Sequence, residues 1–134
     1  MERPRIIIAD DHPQVVVQLR QLLSRQFEIV ATVANGRDLV GAVISLKPDI
    51  VVTDVCMPEM DGLQAASAIG AALPKTCIVF VTVHDDRALA IKALNCGQAY
   101  VLKSSAGEDL LDAMTAVLNG ARYISPMLSG LAPG

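Results

Sequence analysis

Aromatic side chains are nearly missing from this 134-residue chain, which has no tryptophan, two phenylalanines and two tyrosines. Its core must therefore be aliphatic, and it is short of the rings on which bases or a flavin stack. A basic excess is missing as well. Eleven Lys+Arg against 14 Asp+Glu leave a formal net charge of −3, which is no electrostatic footprint for DNA or RNA. No uninterrupted apolar run approaches the roughly 20 residues of a bilayer span, so no membrane association is expected. Met1-Glu2-Arg3-Pro4-Arg5 leads straight into a four-residue apolar run, too short for a signal-peptide core. Cys56, Cys77 and Cys96 are an odd number without metal-type pairing, as expected of reduced thiols in a cytoplasmic protein.

What is present is apolar and regularly punctuated. A hydrophobic fraction of 52% over this length suits one domain with a real core. Five short runs read as strands: Arg5–Asp10, Glu28–Ala34, Asp49–Asp54, Cys77–Thr82 and Ala99–Leu102. Most are nearly continuous in Val and Ile, the pattern of strands buried on both faces of a parallel sheet. Helical spacing lies between them. Val15, Val16, Leu19, Leu22 and Leu23 share one helix face, and Leu110, Leu111, Met114, Val117 and Leu118 repeat that spacing. Weaker helices are expected near Gly36–Leu46, Leu63–Leu73 and Arg87–Asn95. Pro13 suits the first turn of a helix, while Pro48 and Pro74 end helices ahead of strands. Asp85 or Asp86 caps the fourth helix, and Ser105-Ala106-Gly107-Glu108 reads as a capping box. Asp61-Gly62 reads as a turn in which Gly62 permits an unusual backbone geometry. Five β-α units predict an α/β protein with an open, doubly wound sheet and helices on both faces.

Two of these strands finish in acid: Ile6-Ile7-Ile8-Ala9 in Asp10-Asp11, and Ile50-Val51-Val52-Thr53 in Asp54. Open α/β sheets bind ligands beyond the carboxyl ends of their strands, and Thr82 and Lys103 fall at two further ends of that kind. Three carboxylates brought together repel one another and call for a cation or a proton. Mg²⁺ suits such a site, because it takes few carboxylates and keeps several waters. Lys103 adds a point charge and Thr82 a hydroxyl, both useful for holding phosphate oxygens. Together they describe a phosphoryl-transfer site, with Asp54 the candidate nucleophile and Asp10 with Asp11 a natural metal-holding pair.

Asp10-Asp11-His12-Pro13, Asp54-Val55-Cys56-Met57-Pro58-Glu59-Met60-Asp61-Gly62, Val81-Thr82 and Tyr100-Val101-Leu102-Lys103 together resemble the receiver domain of bacterial response regulators, over about residues 5–120. The resemblance implies a flavodoxin-like sheet of five parallel strands in the order 2-1-3-4-5, with five helices. It also implies that Asp54 accepts a phosphoryl group from a phosphohistidine on a sensor histidine kinase. Asp11, Asp54 and the backbone carbonyl of Cys56 would hold Mg²⁺, with Asp10 assisting. Lys103 would contact the acyl phosphate, and Thr82 would move to bond a phosphoryl oxygen. Tyr100 would then swing between exposed and buried states, altering the face made by the fourth helix, fifth strand and fifth helix. Such a domain is no enzyme beyond its own phosphorylation and dephosphorylation. His12 reads as positional at a helix start, whereas His84, two residues beyond Thr82, is placed to influence water access to a phosphoryl group. Ser104 departs from the proline that many receivers carry after the lysine, a site where the peptide bond is often cis.

Val83-His84-Asp85-Asp86 and Gly120-Ala121-Arg122-Tyr123-Ile124-Ser125-Pro126 look most like the subgroup with a LuxR-type helix-turn-helix output. The chain divides into a receiver at 1–120 and a linker or the start of a C-terminal extension at 121–134, within which Ser125 and Pro126 could open a short helix. Its ragged tail favours a receiver belonging to a longer regulator over a stand-alone one. Any contact with DNA would come through an output domain absent here, and phosphorylation-driven homodimerisation is plausible through the face named above. Two other classes fit poorly. An Asp-nucleophile phosphatase needs Asp-x-Asp where Asp54-Val55-Cys56 stands, and a flavin carrier needs stacking aromatics.

Overall fold

Strands that are apolar at every position must be covered on both faces, and that requirement sets the architecture. The structure, a computed structural model, describes residues 3–129. Its strands are β1 (Arg5–Ala9), β2 (Glu28–Val33), β3 (Ile50–Thr53), β4 (Cys77–Thr82), β5 (Ala99–Leu102) and β6 (Tyr123–Ile124). They form one sheet in the order β2-β1-β3-β4-β5-β6, with every pairing parallel. The helices are α1 (Pro13–Leu23), α2 (Gly36–Leu46), α3 (Gly62–Ala72), α4 (Arg87–Cys96), α5 (Ala106–Leu118) and α6 (Pro126–Ser129).

Side-chain alternation divides the core in two. On one face Ile6, Ile8, Val52, Val79 and Val101 meet Leu19 and Leu23 of α1 and Leu110, Met114 and Val117 of α5. On the other, Ile7, Val51, Phe80 and Tyr100 meet Leu39 and Val43 of α2, Ala65 and Ile69 of α3, and Ala90 and Ala93 of α4. This is a flavodoxin-like α/β fold, and its first five strands follow the expected order 2-1-3-4-5.

The structure adds a strand, β6, and a short helix, α6, where five of each were expected. Tyr123 pairs with Ala99 and Ile124 with Tyr100, so the segment read as linker continues the sheet before turning into α6 at Pro126. Only two residues pair, too few to leave a periodicity in the sequence. Residues 130–134 lie outside the described part. Local signals resolve as well. Asp86 caps α4, accepting from Ala88 N at 2.8 Å, and Asp61 with Gln64 forms a capping box at α3. The box expected at Ser105 is not made. Lys103–Ser105 forms a single 3-10 turn, and the Ser105 hydroxyl points to Leu102 O and Asp109 instead.

Gly62 is required for a different reason from the one expected. The glycine with a left-handed φ among the described residues is Gly120, whereas a Cβ on Gly62 would run into the carbonyl oxygen of Asp54. Gly62 N also donates to Val55 O at 2.7 Å, which folds the loop after β3 back on itself. Gly62→Ala is therefore expected to lower stability by about 2–3 kcal/mol through backbone displacement, read as a lower urea midpoint at unchanged slope.

Candidate functional site

Parallel pairing in register brings the acids together. Ala9 stands opposite Thr53, so the residues that follow, Asp10 and Asp54, emerge side by side at the carboxyl edge of the sheet. Asp54 N donates to Ala9 O at 2.9 Å, which locks the two strand ends. Val81 and Thr82 stand opposite Val101 and Leu102, and that register delivers Thr82 and Lys103 to the same edge.

Lys103 is the hub. Its Nζ makes a hydrogen bond to Asp54 Oδ2 at 3.0 Å and lies 2.8 Å from Asp10 Oδ2. The second contact is a close ion pair with a buried carboxylate. The Asp10 and Asp54 side chains are 1% and 7% exposed and that of Lys103 14%, so little water screens the group. Burial by itself would lower the pKa of the Lys103 ammonium. Hydrogen bonds and charge from Asp10 and Asp54 outweigh that and hold it above its ordinary value.

The Asp54 carboxylate is also fixed from below. Its Oδ1 accepts from Val55 N at 2.7 Å and, more distantly, from Cys56 N at 3.5 Å. Asp11 is exposed at the rim. Carboxylate oxygens of Asp10, Asp11 and Asp54 and a ring nitrogen of His12 fall within 4.8 Å of one another. A hard, oxygen-rich donor set of this kind fits a small divalent cation such as Mg²⁺. The sequence reading left His12 outside this group. It precedes α1 without capping it, and its Nδ1 sits 3.0 Å from Asp10 Oδ1 and 3.3 Å from Asp11 Oδ1. Its adjacency to the two acids was the available signal.

Thr82 and Tyr100 meet through a loop rather than directly. Thr82 is buried, and its hydroxyl oxygen accepts from His84 N at 3.3 Å; among the described residues it makes no hydrogen bond to the acids. Tyr100 is also buried, with its hydroxyl donating to His84 O at 2.6 Å. Burial, then the charges of Asp86, Cys56, Asp54 and Asp85, push the phenol well above its ordinary range, so it stays a donor. His84 Nε2 lies 3.4 Å from Cys56 Sγ, bridging the loops after β3 and β4. Burial and the neighbouring carboxylates of Asp54, Asp61 and Asp11 raise the Cys56 thiol, which disfavours a reactive thiolate there.

A doubly wound parallel sheet whose strand ends converge on a lysine-bridged pair of buried aspartates defines a flavodoxin-like α/β domain with its polar site at the carboxyl edge. Comparison with known families narrows it, since residues 6–115 match the response regulator receiver domain. The chain belongs to this family, a family of signalling domains. It is 36% identical over 129 residues to the oxygen regulatory protein NreC of Staphylococcus haemolyticus, covering 93% of this chain and 59% of that one. The chain thus spans well under two thirds of the curated relatives it matches. Among solved structures, a LuxR-family two-component response regulator from an Aurantimonas species superposes with a TM-score of 0.91 at 32% identity, covering 96% of this chain and 94% of that one. The isolated receiver of RcsB from Salmonella enterica serovar Typhimurium, determined with the phosphomimetic BeF3-, gives 0.90 at 26% identity, covering 98% and 100%. The LuxR-type resemblance read from the motifs agrees with these relatives. No helix among the described residues is long and apolar enough to cross a membrane.

Removing the central cation should leave two buried carboxylates facing each other. Lys103→Met is expected to cost about 3 kcal/mol at neutral pH, with part regained when Asp54→Asn is added, both read by urea unfolding. Equal midpoints for Lys103→Met and the unaltered chain would refute the bridging role.

Proposed function

We propose that the chain is a phosphorylation-operated switch in which Asp54 takes a phosphoryl group from a phosphohistidine of a sensor histidine kinase. The observation that carries this reading is the Lys103 ammonium held between Asp54 and Asp10 at 3.0 and 2.8 Å. A carboxylate paired with a half-buried lysine, at a strand end open to the cluster of Asp11 and His12, is suited to nucleophilic attack on phosphorus.

In the transfer, a carboxylate oxygen of Asp54 forms the new O–P bond as the N–P bond of the phosphohistidine breaks. The electron pair returns to the departing imidazole, which takes up a proton from solvent. Asp11, Asp54 and the Cys56 carbonyl would hold Mg²⁺, with Asp10 assisting. When bound, the ion supplies positive charge to offset that of the phosphoryl oxygens. Lys103 keeps its contact with Asp10 and bonds a phosphoryl oxygen, so one cation serves both states. Catalysis extends no further than the domain's own phosphorylation and dephosphorylation.

Thr82 then exchanges its contact with His84 N for a phosphoryl oxygen. Since Tyr100 donates to the carbonyl of that same residue, movement of the loop is felt at once by the buried ring. The response is a two-state shift biased by new charge and new acceptors. It reaches the face built by α4, β5 and α5, where a homodimer is proposed to form on phosphorylation. In the intact regulator the receiver, at 1–120, controls transcription through a DNA-binding output, as supported by the relation to NreC and by RcsB, whose dimers are seen bound to DNA. The setting is cytoplasmic, where kinase and nucleoid are both accessible.

Incubation with Mg²⁺ and acetyl phosphate is expected to add the mass of one phosphoryl group, and Asp54→Asn to abolish that gain. Full labelling of Asp54→Asn would overturn the assignment. Because His84 lies beside the site and contacts Cys56, His84→Ala is expected to change the dephosphorylation rate by about threefold or more, a modest barrier change of about 0.7 kcal/mol. A decay identical to that of the unaltered chain would remove His84 from this role.

A further inference from the structure

Ser125 lies outside every motif that defines the site, yet it is fully buried and every polar group it carries is engaged. Its N–H donates to Tyr100 O at 2.9 Å, and its carbonyl accepts from Leu128 N at 2.9 Å. Its hydroxyl donates to Asp109 Oδ2 at 2.8 Å and accepts from Leu102 N at 2.9 Å. The hydroxyl does what a strand carbonyl ordinarily does. At Pro126 the chain leaves the sheet for α6, which diverts the Ser125 carbonyl to Leu128, so the side chain takes over the last ladder bond of β5.

That last bond belongs to the residue before Lys103. On the other side of Lys103, the Ser105 hydroxyl lies 3.4 Å from Asp109 Oδ2 and 3.4 Å from the Ser125 hydroxyl. The backbone on both flanks of Lys103 is thus moored to one buried carboxylate, Asp109, in the first turn of α5. Among the described residues Asp109 Oδ1 has no hydrogen-bond partner, while the Ser125 and Ser105 hydroxyls both reach Oδ2. Lysine has a long flexible stem, and where its ammonium rests between Asp10 and Asp54 depends on where its backbone is held.

We propose that Ser125 is a positioning residue of the phosphoryl site, holding the end of β5 and with it Lys103. This rests on the reading of Asp54 as the phosphoacceptor. The segment from Tyr123 to Leu128 is then a working part of the receiver, joined to Tyr100 by a backbone bond and to Lys103 through Leu102. Binding linkage is reciprocal: whatever shifts Lys103 when Asp54 is loaded changes the hold on this segment, and tension on the segment changes the loading of Asp54. A purely structural plug would stabilise the sheet edge without touching the chemistry.

The test has two arms. In the first, the Lys103 Nζ resonance is followed by NMR before any phosphodonor is added. Ser125→Ala should move it, and an unmoved resonance overturns the proposal whatever the fate of the phosphoacceptor reading. In the second, labelling by acetyl phosphate at saturating Mg²⁺ is compared in a double-mutant cycle. Ser125→Ala should slow labelling about tenfold, the scale of a sub-ångström misplacement, and should add nothing in a Lys103→Ala background. Undiminished labelling in Ser125→Ala, or an equal slowing in both backgrounds, overturns the proposal. Ser125→Cys fills the same space with a weaker acceptor and gives the same cycle should the alanine variant not fold. Labelling of Asp54→Asn is the separate sign that the phosphoacceptor reading itself has failed.

Discussion

The domain is organised around one ammonium group. Asp10 and Asp54 are both buried and sit side by side because β1 and β3 are parallel and in register. Two carboxylates in that setting repel strongly, and the Lys103 charge makes the arrangement tolerable. Everything that carries Lys103 to this place therefore acts on the site: the pairing of β5 with β4, the 3-10 turn that begins at Lys103, and the contacts of α5. A lysine suits this better than an arginine, since a compact charge can lie between two acids and then pass to a third oxygen.

The same convergence ties the loops around the site together. Thr82, Tyr100 and Cys56 do not line one rigid cavity; they are joined through His84, whose N–H meets Thr82, whose carbonyl meets Tyr100 and whose ring meets Cys56. A loop tied at three points transmits a change at any one of them. Gly62 leaves room for the Asp54 carbonyl, so the loop after β3 has no slack in that direction.

The sixth strand alters how the far edge of the sheet is understood. An open β5 would present unpaired backbone groups beside α4 and α5. Here Tyr123 and Ile124 take up that edge, and the Arg122 guanidinium donates to the carbonyl of Leu94 in α4. Leu128 is buried among the residues of the second core face. The stretch after α5 is thereby fastened to β5, to α4 and to the second core face.

Much of this was legible in the residues themselves. Continuous Val and Ile runs announced buried parallel strands, and charge at the ends of two of them announced a cation-demanding edge. Asp10, Asp11, Asp54 and Lys103 were legible because no packing role accounts for charge directly after a buried strand. Other features depend on residues far apart in the chain and leave no local pattern. The Ser105 capping signal was overruled because Asp109 and Ser125 compete for the same hydroxyl. The need for Gly62 lies in a carbonyl eight residues away, and β6 is too short to show a period. The sequence by itself determined five of the strands, their alternation with helices and the kind of chemistry their edge can host, because those follow from hydrophobic periodicity and charge. Only the tertiary structure decided which groups share the Lys103 charge, where His12 and Ser125 belong, and how the C-terminal segment is tied to the site, because hydrogen bonds across strands answer to register and not to neighbourhood in the chain.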